Sequence, residues 1–431
     1  MKLPLKMCQL GLLVDARARC DNACVRNKAK SDASARFAFR STQPRACLRS
    51  LRGVMCWILL FFTAGSAVAA QPTFHIPDQP VCARCTLDLK AVATLRAPAD
   101  SSFYAHFSST LSRNSKGQYV LAPLDNLGTL AMFDSTGNYI RTLGRKGLGP
   151  GEYKFAERAQ IGKADSIVVL DAMQHRLSIL SPSGVFVSGI DVPAYVRDVL
   201  PLGKGHFLIN ATIGTAEGIG NPLHIVNAVG TVVSSFGSNG RPVRAGSTSD
   251  VLRRVVLGES SIWSAPTNEY LLEEWSLDGR KLRSLVRDAT WFRRNDAPAQ
   301  GSFYEKRPDP YLRGIQIDSL GYLYVFLSIA DAKWKAERVP APGITAQRGD
   351  SGRTGGAPRG QLSIVDQERF YDTLVEVIDP VTNQLVFVKR LDQTILPTNQ
   401  AGWGYRYRDD LTVPVLEVYN LHFNNQFRRD R

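Results

Sequence analysis

Between residues 112 and 285 the chain repeats itself about every 47 residues. Four short turns mark the beat: Ser135-Thr136-Gly137, Pro182-Ser183-Gly184, Ala228-Val229-Gly230 and Leu277-Asp278-Gly279. Their glycines lie 47, 46 and 49 residues apart. Strand-like runs flank every turn, and no helical periodicity intervenes. A unit of this kind cannot bury its own apolar face, so several units must stack against one another.

Each unit reads as two β-hairpins. The inner hairpins cover residues 111–121, 160–170, 199–209, 255–263 and 315–326. Their second strands are β-branched and aromatic, as suits strands buried on both faces. The outer hairpins cover 130–143, 177–190, 223–236, 270–285 and 374–388. There polar and apolar residues alternate around a turn, as in strands with one wet face. Four-stranded antiparallel units at this period predict an all-β fold, the β-propeller. Five blades are visible, and the fifth is interrupted by residues 333–368. That insertion is rich in Gly and Pro, lacks apolar periodicity, and is expected to be a mobile loop.

Two strand-like segments remain without partners, 86–95 (TLDLKAVATL) and 402–423. Sheet edges left open invite association with other chains. The simplest remedy is a sixth blade shared between the chain ends, so the reading is a six-bladed propeller over 86–423. It would be closed by pairing of N- and C-terminal strands, with 424–431 as a tail.

Residues 143–153 (LGRKGLGPGEY) resemble the turn signature of NHL-type propellers. So do residues 166–180 (SIVVLDAMQHRLSIL), where Asp171 and then His175-Arg176 separate two strands. The likeness extends from residue 86 to 422 but is clear only in the first two blades. Blades three to five keep the hairpins and lose the Gly-Pro-Gly-Glu turn. The resemblance implies a six-bladed ring firmly and an activity weakly, because NHL-like rings include protein-binding modules, lactonases and lyases.

The ends bear on compartment. Residues 1–70 carry 12 Lys/Arg against 3 Asp/Glu, whereas the whole chain has a formal net charge of +14. Most of the basicity therefore precedes the repeats. It gives no reason to expect nucleic-acid binding, which needs a clustered basic face on the folded part. Arg45, Arg49 and Arg52 precede an apolar run at 54–64 (VMCWILLFFTA), and Ala67-Val68-Ala69 follows. The run is too short to span a bilayer. The pattern is that of a secretory signal peptide over 45–70. Residues 1–44 have no place in that signal and read as a disordered preface or a mis-assigned start. The expected product is periplasmic or secreted, monomeric, and without a transmembrane span after cleavage.

Five of the seven cysteines fall before residue 57; the rest form Cys82-Ala83-Arg84-Cys85 in a linker over 71–85. A C-x-x-C pair can be a disulfide, a redox site or half a metal site. In an oxidising compartment a local disulfide between Cys82 and Cys85 is the default.

Few residues promise chemistry. Gly149-Pro150-Gly151-Glu152 lacks the Gly-Lys-Ser/Thr of a phosphate loop and fits a type II turn. The six histidines (His75, His106, His175, His206, His224, His422) do not recur at equivalent blade positions, as metal ligands at a channel mouth would. Asp134, Asp171, Asp318 and Asp379 sit at turns and should bond neighbouring amides. No cofactor is expected; structural or catalytic Ca or Zn has no residue pattern in its support.

One recurrence is more pointed. An arginine stands at the start of the innermost strand in several blades: Arg158, Arg197, Arg254 (beside Arg253) and Arg313, with Arg406 and Arg408 as candidates in the sixth. Innermost strands line the axial channel, so these guanidinium groups would share one rim and suit an anion. The default alternative is that each pairs with a nearby acid (Glu157, Asp198, Asp250, Asp318) and staples adjacent blades. The sequence thus favours a binding module that recognises a protein, peptide or small anionic ligand at the rim. The rival is a metal-assisted lactonase, hydrolase or lyase acting at the channel mouth.

Overall fold

The computed structural model describes residues 71–96, 109–123, 129–193, 195–215, 218–238, 251–287, 289–294, 306–336, 369–408 and 414–426. The expected preface, the signal segment, His106, Asp250 and residues 337–368 of the insertion lie outside them.

Six antiparallel four-stranded blades form a ring. Blade one is Thr110–Arg113, Tyr119–Ala122, Leu130–Phe133 and Tyr139–Leu143. Blade two is Ala156–Ile161, Ile167–Asp171, Arg176–Leu180 and Phe186–Asp191. Blade three is Val196–Gly203, His206–Ala211, Leu223–Val226 and Val232–Phe236. Blade four is Arg253–Leu257, Ser261–Pro266, Leu271–Ser276 and Lys281–Arg287. Blade five is Tyr311–Ile317, Leu323–Ala330, Tyr371–Asp379 and Gln384–Leu391. Blade six is Leu396–Pro397, Trp403–Arg408, Val415–Asn424 and, outermost, Thr86–Arg96. That last strand pairs antiparallel with Val415–Asn424 from Thr86↔Asn424 to Arg96↔Val415.

The repeating glycines have two jobs. In the outer hairpins of blades one to four the turn glycine donates to the carbonyl three residues back: Gly137 to Asp134, Gly184 to Ser181, Gly230 to Asn227 and Gly279 to Ser276. All four have φ between +77° and +96°, which L side chains resist. Each also lies against the outermost strand of the preceding blade. A Cβ at Gly184 would stand 2.5 Å from a Leu143 methyl, and one at Gly230 2.1 Å from the Asp191 carbonyl. At Gly137 the neighbour is Thr94, in the N-terminal strand, 2.5 Å from such a Cβ. The beat in the sequence is therefore the beat of blade-to-blade contact.

Apolar clusters fill every seam of the ring. Blade one packs on blade two through Leu130, Met132, Ile167 and Val169. Blade six packs on blade one through Tyr405, Leu416, Leu121 and Phe133. Fully burying each such side chain contributes about 1.5–3 kcal/mol.

Two features depart from the sequence reading. Thr73–Ile76 adds a fifth strand to blade four, parallel to Lys281–Arg287. From there the chain runs across blade five, where Val81 and Cys82 amides donate to Leu385 and Val386 carbonyls, and enters blade six at Thr86. Residues 73–96 thus bind the outer edges of three consecutive blades. Cys82 and Cys85 are joined in this crossing (S–S 1.98 Å, Cα–Cα 5.5 Å) and are buried in the seam between blades five and six.

Candidate functional site

The innermost strands bring Arg158, Arg254 and Arg313 towards one another from blades two, four and five. Arg158 is the third residue of its strand, Arg254 the second and Arg313 the third. Their mutual proximity is seen in Tyr405, a buried tyrosine of blade six. Burial pushes its hydroxyl up to about 12, against the pull of all three guanidinium groups. The Tyr405 hydroxyl donates to the Ser109 carbonyl at 2.8 Å. Beside it, the Thr110 hydroxyl is buried with no partner.

The three arginines are not equivalent. Arg158 is anchored: its Nε donates to the Arg197 carbonyl at 2.6 Å and stands 3.7 Å from Asp198. This links blade two to blade three, as the stapling alternative requires. Arg313 lies over the Tyr311 ring at 4.8 Å and donates to the Ser328 hydroxyl at 3.2 Å. Asp318 is not its partner, because that carboxylate accepts the Leu320 and Tyr322 amides of its own turn. Arg254 has neither arrangement. Its Nε is buried without a hydrogen bond, although the residue keeps partial access to solvent. No carboxylate among the described residues stands within ion-pair distance of it. Burial, and then the like charges of Arg158 and Arg313, push its guanidinium down to about 10, with Asp198 opposing.

Arg197 is in the second position of its strand. It lies over Tyr195 at 5.4 Å, and its charge is felt at Glu157. Burial raises the Glu157 carboxyl, opposed by Arg158, the Tyr195 hydroxyl and Arg197. Arg406 and Arg408 require a correction. They belong to Trp403–Arg408, the second strand of blade six, and bond Gln393 and Glu417. The innermost strand there is Leu396–Pro397, which carries no arginine. Tyr405 and Thr110 were not anticipated; nothing local marks a seam tyrosine as a neighbour of the arginines.

The remaining motifs serve the fold. Glu152 donates its amide to the Gly149 carbonyl at 3.0 Å, and Gly151 has φ +70°, the geometry of a type II turn. The Glu152 carboxylate accepts the Leu148 and Gly149 amides and ion-pairs with Arg145, so the donors a phosphate would need are engaged. Arg176 donates to the carbonyls of Leu148, Gly149 and Glu152 and fixes this loop from the next blade. Asp134, Asp171 and Asp379 accept amides of their own turns. His224 is buried, with Nδ1 2.8 Å from the Ser235 hydroxyl. Among the described residues, no three His, Cys, Asp or Glu side chains are grouped to hold a metal. No helix among them is long and apolar enough to cross a membrane.

The comparisons bear on the fold. Residues 113–228, from blade one into blade three, match the DUF5128 family, described as a six-bladed β-propeller. No curated protein matches the chain in sequence. Among solved structures, a Bacteroides vulgatus member of the DUF4221 family is 10% identical, with TM-score 0.53 over 79% of this chain and 99% of that one. A Bacteroides fragilis protein, inferred exported by its name, is 10% identical, with TM-score 0.50 over 81% and 99% of the two chains. At this identity the likeness concerns the fold alone.

Proposed function

We propose that this chain is an exported binding module of NHL-like type that captures a small oxyanion, carboxylate or phosphate, at the mouth of its channel. The observation that carries the reading is the state of Arg254. A guanidinium with a buried, unbonded Nε and no carboxylate within ion-pair distance among the described residues, pressed by two like charges, is costly unless something negative visits it. Arg158 and Arg313 stand on other blades and add positive charge beside Arg254, and arginine is suited to bidentate carboxylate or phosphate. Export is supported by the signal-like segment at 45–70 and by the Cys82–Cys85 bridge.

Calorimetric titration of the purified protein with succinate and, separately, inorganic phosphate tests this reading. Saturable binding that weakens with salt and drops at least about tenfold in Arg254→Ala is expected. Equal heats in wild type and variant would refute it. The stronger of the two ligands distinguishes carboxylate from phosphate.

A further inference from the structure

A second site lies in the seam between blades four and five. It is a cleft of about 710 Å³. Its floor is an ionic cluster whose bonds are satisfied internally. Arg287 Nε and Nη2 meet Glu376 at 3.0 and 3.1 Å, Nη1 meets Asp78 at 2.7 Å, and the Tyr270 hydroxyl donates to Glu376 at 2.5 Å. On one side Arg390 is engaged with Asp372 and the Ala330 carbonyl. The walls are apolar: Ile329, Leu374 and Val388, with the partly exposed Trp291 ring at the lip.

Arg307 is the exception. It lines the cleft, is exposed, and makes no hydrogen bond or ion pair with any described residue. Lys306, its neighbour, approaches Asp309 at 4.0 Å. The cleft therefore combines an aliphatic and aromatic wall with a guanidinium whose donors are unspent. Ligand pockets have this size and make-up: mostly apolar, with a few polar groups to fix orientation. We infer that the cleft binds an amphipathic organic carboxylate, its apolar body on Ile329, Leu374 and Val388 and its carboxylate on Arg307. The residues involved share nothing with the channel mouth, so this site stands or falls independently of the arginines there.

The probes are 3-phenylpropionate and its amide, which has the same shape and no charge. Each is titrated into the purified protein, following calorimetric heat and Trp fluorescence. Wild type should bind the carboxylate about tenfold more tightly than the amide, a difference of about 1.4 kcal/mol. Arg307→Ala should remove that preference and leave the amide affinity unchanged; being exposed, residue 307 can be replaced without disturbing the core. Leu374→Trp, which adds bulk to the apolar wall, should weaken binding of both probes if its thermal midpoint shows it folded. Arg254→Ala should leave both affinities as they are. Equal binding of carboxylate and amide to wild type, a preference that survives Arg307→Ala, or no binding of either probe would overturn the inference.

Discussion

Arg287 and Glu376 face each other across the seam between blades four and five, joined by two nearly parallel bonds of 3.0 and 3.1 Å. Both side chains are almost wholly buried, at 4% and 1% exposure. A buried pair of this kind has repaid its desolvation only while both partners stand. Arg287→Ala or Glu376→Ala alone should therefore lower the unfolding free energy by about 3–5 kcal/mol. The double replacement Arg287→Met with Glu376→Leu should cost far less than the sum of the two, because it leaves no buried charge alone; Asp78, which loses Arg287, is half exposed to solvent. Denaturant titration of the three variants checks this. Additive losses would show that the two residues do not act as a pair.

The turn glycines permit a sharper comparison. Gly230 and Gly321 have φ of +82° and +81°. A Cβ at Gly230 would meet the Asp191 carbonyl at 2.1 Å, whereas one at Gly321 would meet nothing within 4 Å. Gly321→Ala should cost only the left-handed conformation, about 1–2 kcal/mol. Gly230→Ala should cost clearly more, the excess being the forced separation of blades two and three. Equal losses in thermal unfolding would mean the glycine period reflects the turn alone.

The N-terminal strand can be tested by removal. Without residues 1–96, Val415–Asn424 would lose its partner along ten paired positions and present an open edge. Such edges recruit other chains. Light scattering after size exclusion should show oligomers or aggregate for the shortened chain and a single monomeric species for the full one. A shortened chain that stays monomeric and equally stable would show that the ring does not need this strand.

His224 sets a pH dependence. It is 2% exposed, its Nε2 is buried without a partner, and burial holds its imidazole below the usual range. The unfolded chain titrates near pH 6.5. Below that value and above the folded pKa the unfolded chain binds more protons, so stability is full above about pH 6.5 and is lost as the pH falls. Glu157 and Glu273, raised by burial, act with the opposite sign. The readout is therefore the difference between proteins: His224→Gln should lose less stability than wild type between about pH 7.5 and 5.5. Identical losses would remove His224 as a cause.

The hairpins were legible because their period, turn glycines and alternation are local. The six blades follow from them, and Leu111, Leu121 and Phe133 fall in the core where alternation puts them. The sixth blade was half legible. Its innermost strand is two residues with a proline, too short to leave a pattern, and so Arg406 and Arg408 were assigned one strand too far inward. Thr73–Ile76 pairs parallel to a strand some two hundred residues away, and nothing in TFHI announces it. Arg287 and Glu376 are separated by 89 positions. A buried charge pair across a seam is fixed by three-dimensional packing; each residue alone reads as a polar position in a strand. Strand position brought the charges of Arg158, Arg254 and Arg313 together, whereas the stacking of Arg197 on Tyr195 and of Arg313 on Tyr311 depends on side-chain packing.

Ligand-linked stability is the most direct test of the anion subsite proposed at Arg254. The thermal midpoint is followed as succinate is raised at constant ionic strength, for wild type and Arg254→Ala in parallel. A ligand that binds only the folded chain must raise the midpoint with concentration. A rise in wild type that is absent from the variant is the predicted result. A flat wild-type midpoint, or the same rise in both proteins, would contradict it.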